Sequence, residues 1–546
     1  VAASRPIDPD AIDHAHDYSQ ESANDDFWLD FIADTGDGWN STYAMARLLA
    51  DPQLTVGGVN EPLLRGRILV MGGDQIYPTA SRDSYQERLE APFREAAAGK
   101  IDPAHPPHVY AVPGNHDWYD GLLAFLGLFC RRRNSDNWAS ARPGRNVGGR
   151  ATQQVRSYFA IELPHEWWLW GADVQLSGYI DQPQIDYFSH IAREWMKPGS
   201  RLILCTGQPS WAYVDPQDPE PKFRNFSYLE SLAGLAGKGH RLCLILTGDS
   251  HHYCRFVEGD CNYITAGGGG AFLHPTHQLT DRIFAWPYPH PGVPGVAGQT
   301  YTRKFSLARD QVNKKPATFP DQAVSKTLTL RNFFFAALNW QYTATVAGFY
   351  AFFIWLLNAQ AAYLGTSLQA SLVPQPLPSF AVTAQNYMAL GLISPWPTLL
   401  LLLSIAGYFY LADFPSYWRL VVGALHGAIH AILVMIATCI LARWFSAIPA
   451  GCFIIATGLA AGVLSATTLG IYFLLSLTLF GRHWDEAFAA LRIQDYKCFL
   501  RLRFGPAGRL MIYPIGLKQV PREPRSGTLR NPPLKPHLIE GPIEIN

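Results

Sequence analysis

Four short stretches place potential metal ligands or proton carriers directly after an apolar run. Tyr110-Ala111-Val112 ends in Pro113-Gly114-Asn115-His116-Asp117, an amide, an imidazole and a carboxylate in succession. Leu69-Val70-Met71 runs into Gly72-Gly73-Asp74-Gln75-Ile76-Tyr77. Leu244-Ile245-Leu246 runs into Thr247-Gly248-Asp249-Ser250-His251-His252, and Phe31-Ile32-Ala33 into Asp34-Thr35-Gly36-Asp37. Side chains of these types bind metals or move protons. The glycines end a strand and let backbone approach a ligand closely. One such turn is explained as well by an ordinary polar strand end. Four in one chain point to a shared site, because in layered α/β proteins ligand sites gather at the carboxyl ends of the strands.

The elements that must carry these turns alternate. Apolar runs predict strands over 27–33, 65–71, 108–112, 167–176, 201–205, 241–246 and 262–265. Helical patterns fall between them at 41–50, 81–99 and 182–196, the second with a charged face. This alternation predicts an α/β layered domain. After the last strand comes Gly267-Gly268-Gly269-Gly270, then His274 and His277. Backbone there can approach a neighbour closely, with His274 or His277 facing the site; a flexible loop with solvated histidines fits the same residues.

At 546 residues the chain exceeds one core, so two or more domains are expected. The reading is a polar lead-in at 1–26, the layered domain at 27–290, a basic Pro/Gly-rich linker at 291–340, a four-helix membrane domain at 341–481 and a tail at 482–546. The membrane segments, at about 343–364, 396–412, 420–441 and 452–480, approach or exceed the roughly 20 residues that span a bilayer. The stretch 380–393 reads as a re-entrant or interfacial piece. Trp355, Trp396, Trp418 and Trp444 lie in or near the segments, as interface anchors do. In the third segment His426 and His430 share one face, spaced i, i+4. They mark either a functional site within the membrane or neutral imidazoles bonded to a neighbouring helix. In the tail, 499–504 and 509–515 flank Gly505-Pro506-Ala507-Gly508 and predict a hairpin that packs on the layered domain.

Lys plus Arg and Asp plus Glu both number 44, so net charge predicts no nucleic-acid partner. The eight cysteines include no CxxC pair and read as reduced thiols. The first residues are polar and acidic (Asp8, Asp10, Asp13), opposite in sign to a signal peptide, so no secretory leader is expected. Basic residues flank the membrane segments at Arg303–Arg331 and Arg482–Arg503, while 365–395 carries no charge. With four spans, the positive-inside rule predicts a multi-pass protein with both ends and the layered domain in the cytoplasm.

The series Asp-x-Gly, Gly-Asp-x-x-Tyr, Gly-Asn-His-Asp and Gly-Asp-x-His resembles the calcineurin-like metallophosphoesterases over roughly the first half of the chain. The resemblance implies an α/β/β/α sandwich, here followed by a transmembrane helical bundle. It also implies two metal ions about 3.5–4 Å apart that clamp a phosphoryl group and activate a hydroxide. By the same resemblance, Asp74 bridges both ions, Asp34 and His251 ligate the first and Asn115 the second. His116 stabilises or protonates the leaving oxygen, and Asp117 orients its ring. Gly36 stands where many members have a ligand His, a feature shared with purple acid phosphatases, which implies Tyr77 as a ligand. Asp249 replaces the first His of the last motif, as in D-type alkaline phosphatases. Gly207 stands where the fourth motif has its ligand His, with only Gln208 and Cys205 nearby. The second site is therefore oxygen-rich, which points to Mn²⁺, Mg²⁺ or Ca²⁺ rather than Zn²⁺, while the first suits iron or manganese. Asp37 and His252 are spare ligands.

Arg131, Arg132 and Arg133 suit phosphate oxygens, although a solvated basic edge accounts for them equally. The expected activity is that of a membrane-anchored, metal-dependent phosphohydrolase acting on a lipid-linked or membrane-proximal phosphoester. The alternative is a membrane sensor or transporter whose phosphoesterase-like domain binds metal or nucleotide without turnover.

Overall fold

The computed structural model describes residues 15–21, 26–130, 146–174, 180–234, 238–288, 299–414, 417–445, 447–522 and 533–546. The chain divides into two compact units, 1–326 with 493–546, and 327–492. The first unit is thus discontinuous, and the second is inserted into it.

Two mixed sheets form the first unit. In one, Phe27–Ile32, Ile68–Met71 and His108–Ala111 lie side by side in parallel, with Ile32 opposite Met71 and Met71 opposite Ala111. In the other, Trp167–Ala172, Arg201–Thr206, Arg241–Thr247 and Cys261–Ala266 are parallel neighbours. Successive side chains of a strand point to opposite faces, so a strand buried on both sides must be apolar throughout. Leu29, Phe31, Val70 and Tyr110 therefore meet Ile203, Leu244 and Ile264 between the sheets. The alternate residues Ile32, Leu69 and Met71 pack on the outer helices through Met45, Leu49 and Phe93. Trp168, Trp170, Leu202 and Leu204 do the same on the far side with Phe188 and Phe226. The result is a four-layer α/β/β/α sandwich.

The tail strand Lys497–Phe504 joins the first sheet antiparallel to Phe27–Ile32, and Leu510–Leu517 folds back beside it. Arg501 lies opposite Asp30. Its guanidinium grips that carboxylate at 2.7 and 3.1 Å and also reaches the Leu63 carbonyl at 3.0 Å. Both side chains are fully buried. Truncating one partner of such a pair costs about 3–5 kcal/mol, because it strands the other charge.

The stretch expected as a linker at 291–340 is structured over much of its described length. Gln299–Leu307 pairs residue by residue with Arg282–Tyr288, and Thr318–Phe319 pairs with the Tyr253–Glu258 strand. Proline-rich, basic composition suits an edge strand as well as a linker, which is why composition misled there.

In the second unit, Trp340–Tyr363, Tyr417–Trp444 and Ala450–Phe480 are long and apolar enough to cross a membrane. Phe380–Ile393 and Pro395–Leu411 form a pair bent by 96°. Small residues let these helices approach. A Cβ on Gly458 or Gly462 would lie 2.6–2.7 Å from Ala351 or Ala347, and one on Gly423 or Gly427 would strike Phe409 or Ile405. These are small-xxx-small contacts of the kind that pack helices in lipid.

Candidate metal centre

Parallel ladders carry the four motifs to one place. Beyond the strands, Gly72 N–H donates to the Ile32 carbonyl, Asp34 N–H to Gly73 and Thr35 N–H to Asp74, at 2.8–3.0 Å. Asp34, Asp74 and Asp249 all adopt left-handed backbone, with φ of 56°, 50° and 66°. For residues other than glycine this costs of order 1–3 kcal/mol each and persists where the surroundings dictate it. Three strained aspartates at the ends of three strands mark a built site.

Their side chains converge. The Tyr77 hydroxyl lies 3.2 Å from Asp34 Oδ1, 3.1 Å from Asp74 Oδ2 and 2.8 Å from His251 Nε2. Asp249 N–H donates to Asp34 Oδ1 at 3.0 Å, and His116 N–H to Asp74 Oδ1 at 2.9 Å. The Asn115 amide stands 2.9 and 3.3 Å from the two Asp74 oxygens, with Tyr119 hydroxyl on its other arm at 3.2 Å. Nitrogen-first it donates to Asp74; oxygen-first it sets an amide oxygen beside a carboxylate, a pairing that a cation stabilises.

Burial, then the charges of Asp74 and Asp249, pushes the Asp34 carboxyl well above the usual range. Burial, then Asp117 and Asp249, does the same to Asp74, and burial also raises Asp249. Burial and the neighbouring His274 hold His251 well below its ordinary value, so its imidazole is neutral. Asp34 Oδ2 and His251 Nδ1 are buried without a hydrogen-bond partner. Crowded carboxylates, an orphaned oxygen and a neutral imidazole fit a cation, which would remove the repulsion and satisfy the oxygen. Among the described residues no three His, Cys, Asp or Glu side chains form a ready-made metal cluster. The convergent set is instead mixed, with carboxylate, phenol, imidazole and amide.

The remaining sequence candidates separate. Asp117 does not orient the His116 ring. It accepts from Gly114 N–H at 2.8 Å, from Gln75 N–H at 3.2 Å and from the Tyr85 hydroxyl, and so braces the turn. Burial pushes it up to about 7. The His116 ring instead places Nδ1 2.6 Å from the Pro78 carbonyl and packs on Tyr77. Asp37 accepts from Phe272 N–H at 3.1 Å, a loop brace. His274 stacks on His251 at 3.8 Å between centroids, and its Nδ1 accepts from His251 N–H. His277 pairs with Ser325 at 2.9 Å, away from the cluster. His252 is buried and pushed down to about 3 by burial. Gly207 comes against Gly73, with no side chain to offer, and no contact among the described residues ties the Gln208 amide to the cluster. Arg131, Arg132 and Arg133 lie outside the described residues.

Two residues escaped the sequence reading. Tyr213 bonds the Ser250 hydroxyl at 2.6 Å, and its hydroxyl lowers the Asp249 carboxyl against the effect of burial. Lys497, fully buried at the head of the tail strand, reaches the Ala271 carbonyl at 2.5 Å, and burial lowers it to about 8. A lone lysine opening an apolar strand was the only signal for it.

The glycine-rich loop explains its own composition. Gly269 N–H donates to the Ala33 carbonyl, Ala271 N–H to Asp34, and Cys498 N–H to Gly268, each at 2.9 Å. A Cβ on Gly267 would lie 2.0 Å from Asp34 Oδ2 and 2.3 Å from the Ser250 carbonyl. Gly267→Ala should therefore displace Asp34 and weaken metal binding by about 10–100-fold, the usual effect of disturbing a ligand's support. Gly57→Ala, where a Cβ meets nothing within 4 Å, is the control. Metal retained after desalting measures both; equal retention would place Asp34 outside the metal site.

The comparisons bear on this arrangement. Residues 27–253 match the calcineurin-like phosphoesterase family. No curated protein matches the chain. Among solved structures, the chain is similar to GAP50, the anchor in the inner membrane complex of Plasmodium, at 13% identity and TM-score 0.32, covering 52% of this chain and 82% of that one. It is also similar to the purple acid phosphatase PPD1 from yellow lupin (Lupinus luteus) seeds, at 12% identity and TM-score 0.28, covering 45% of each. Likenesses this distant add nothing to the reading of the site. Residues 27–253, which carry all four motifs, are a calcineurin-like phosphoesterase domain.

Proposed function

We propose that the chain is a membrane-anchored, metal-dependent phosphohydrolase. The observation that carries this reading is the meeting of Asp34, Asp74 and His251 on the Tyr77 hydroxyl, within 3.2 Å, at strand ends from both sheets. Asp34, Asp74, Tyr77, Asn115, Asp249 and His251 would hold the ions. Ions bound there supply Lewis-acid charge for the phosphoryl group and a nucleophile at neutral pH. The chain's own groups do the rest. Asp74 has one oxygen toward Tyr77 and the other toward the His116 amide, so its carboxylate spans the centre. The Pro78 carbonyl takes the His116 Nδ1–H, which fixes the ring and leaves Nε2 to protonate a departing oxygen. With Gly207 in place of a histidine, a second ion would be held by oxygen donors, which favours Mn²⁺, Mg²⁺ or Ca²⁺ there.

A lipid-linked or membrane-proximal phosphoester is the substrate class that the inserted helical unit supports. Leu425, Ile429 and Ile432 on one long helix, and Leu459 and Val463 on another, are exposed large apolar side chains, as a lipid-facing surface requires. The sheet pairing supports an even number of crossings. Residues on both sides of the insert belong to one sheet, so the chain must cross an even number of times. If the three long helices each cross once, the bent pair 380–411 would supply the fourth crossing. Basic flanks then favour a cytoplasmic catalytic domain.

His116→Ala should lower turnover by roughly 10²–10⁴ while metal content stays intact. The loss should shrink for nitrophenyl esters, whose leaving group needs no proton; an equal loss for alkyl and nitrophenyl esters would remove His116 from that role. Topology is open to labelling in a Cys452→Ser background, since the other cysteines are buried or half-buried. Thr366→Cys should react with an impermeant thiol reagent on intact cells, and Val312→Cys only after permeabilisation. The reverse pattern would place the catalytic domain outside, and labelling of both from outside would break the even-crossing argument.

A further inference from the structure

The helical unit contains two polar groups that anchoring does not need. His426 and His430 lie on Tyr417–Trp444, one turn apart, and are 5% and 3% exposed. The same helix turns Leu425, Ile429 and Ile432 outward, so both imidazoles face the bundle interior. The Nε2 atom of each is buried without a hydrogen-bond partner. Buried polar side-chain atoms are overwhelmingly satisfied in folded proteins, and an exception calls for a water, an ion or a ligand. In a lipid-spanning bundle no bulk water is at hand to meet the need.

The surroundings favour an ion. The rings stand 4.8 Å apart between centroids, a separation at which two imidazoles can share one ion with metal–nitrogen bonds of roughly 2.0–2.1 Å. Histidines spaced i, i+4 are a recurrent helical chelate. The opposite nitrogen of His430 faces the Tyr350 hydroxyl at 3.5 Å, and Ser465 donates to that hydroxyl at 3.0 Å. Metal-bound histidines are commonly held this way, one ring nitrogen turned to an outer polar partner and the other to the ion. Tyr408 packs against both rings at 4.5 and 4.6 Å, and Tyr472 against His426 at 4.3 Å, which restrains the imidazoles. Neutral imidazole nitrogens select borderline ions such as Zn²⁺ or Cu²⁺ rather than Mg²⁺ or Ca²⁺.

We propose that His426 and His430 form a transition-metal site within the helical unit, separate in ligands and in preferred metal from the carboxylate centre. The full-length chain, purified in detergent, is loaded with Zn²⁺, desalted and assayed for zinc per chain. His426→Ala/His430→Ala should hold one equivalent less than the unaltered chain. Because both chains carry the same phosphoesterase domain, the difference does not depend on what that domain binds or hydrolyses. Equal zinc content would overturn the proposal and leave a pair bridged by internal water. If the double alanine chain does not elute as a single species, the single variants His426→Asn and His430→Asn replace it. Asparagine keeps hydrogen-bonding capacity but not the imidazole, so each should lose the equivalent, and retention by both would overturn the site.

Discussion

The pairing of Lys497–Phe504 with Phe27–Ile32 is the constraint on which the rest depends. It binds the end of the chain to its beginning across an inserted helical unit, and the buried Asp30–Arg501 pair fixes its register. A one-residue slip would turn Leu500 and Leu502 out of the inter-sheet core and strand both charges. The same strand delivers Lys497 and Cys498 to the glycine-rich loop, and that loop lies on Asp34. A chain segment after the inserted helical unit therefore completes a site built mainly from residues before it.

At that site the protein concentrates charge where burial opposes it. Three aspartates sit in left-handed backbone, and burial raises each carboxyl above its ordinary range. Such an arrangement is costly as a structural core and serviceable as a cation site. Support comes from backbone more than from side chains: N–H groups of His116 and Asp249 hold Asp74 and Asp34, while Asp117 ties the turn beneath. Rigid supports of this kind hold ligands in place before any ion arrives.

Much of this was legible in the sequence. The four strand ends were readable because an apolar run that stops at Ala-Asp, Gly-Asp or Gly-Asn recurs four times, and Asp34, Asp74, Tyr77, Asn115 and His251 do meet. The tail hairpin was readable from two alternating runs around Gly505-Pro506. Its neighbour in the sheet was not, since only the fold sets Arg501 against Asp30. Asp117 was misread because adjacency to His116 in sequence says nothing of direction; as the third residue of a short helix it turns back to the Gly114 amide. Tyr213 was missed because an aromatic closing a one-turn helix carries no motif. The strand at Gln299–Leu307 was missed because basic, proline-rich flanks resemble a linker.

The central claim is that these ligands bind ions that hydrolyse a phosphoester, and Asp74 is its most exposed point. The decisive measurement is turnover of a chromogenic phosphoester, with metal content assayed alongside, for metal-stripped full-length chain reconstituted with Mn²⁺ and for Asp74→Asn treated identically. The unaltered chain should regain both metal and turnover, and Asp74→Asn should lose both, its turnover falling to background. Near-unaltered metal content and turnover in Asp74→Asn would contradict the account, because no carboxylate would then be shared between ions at this position.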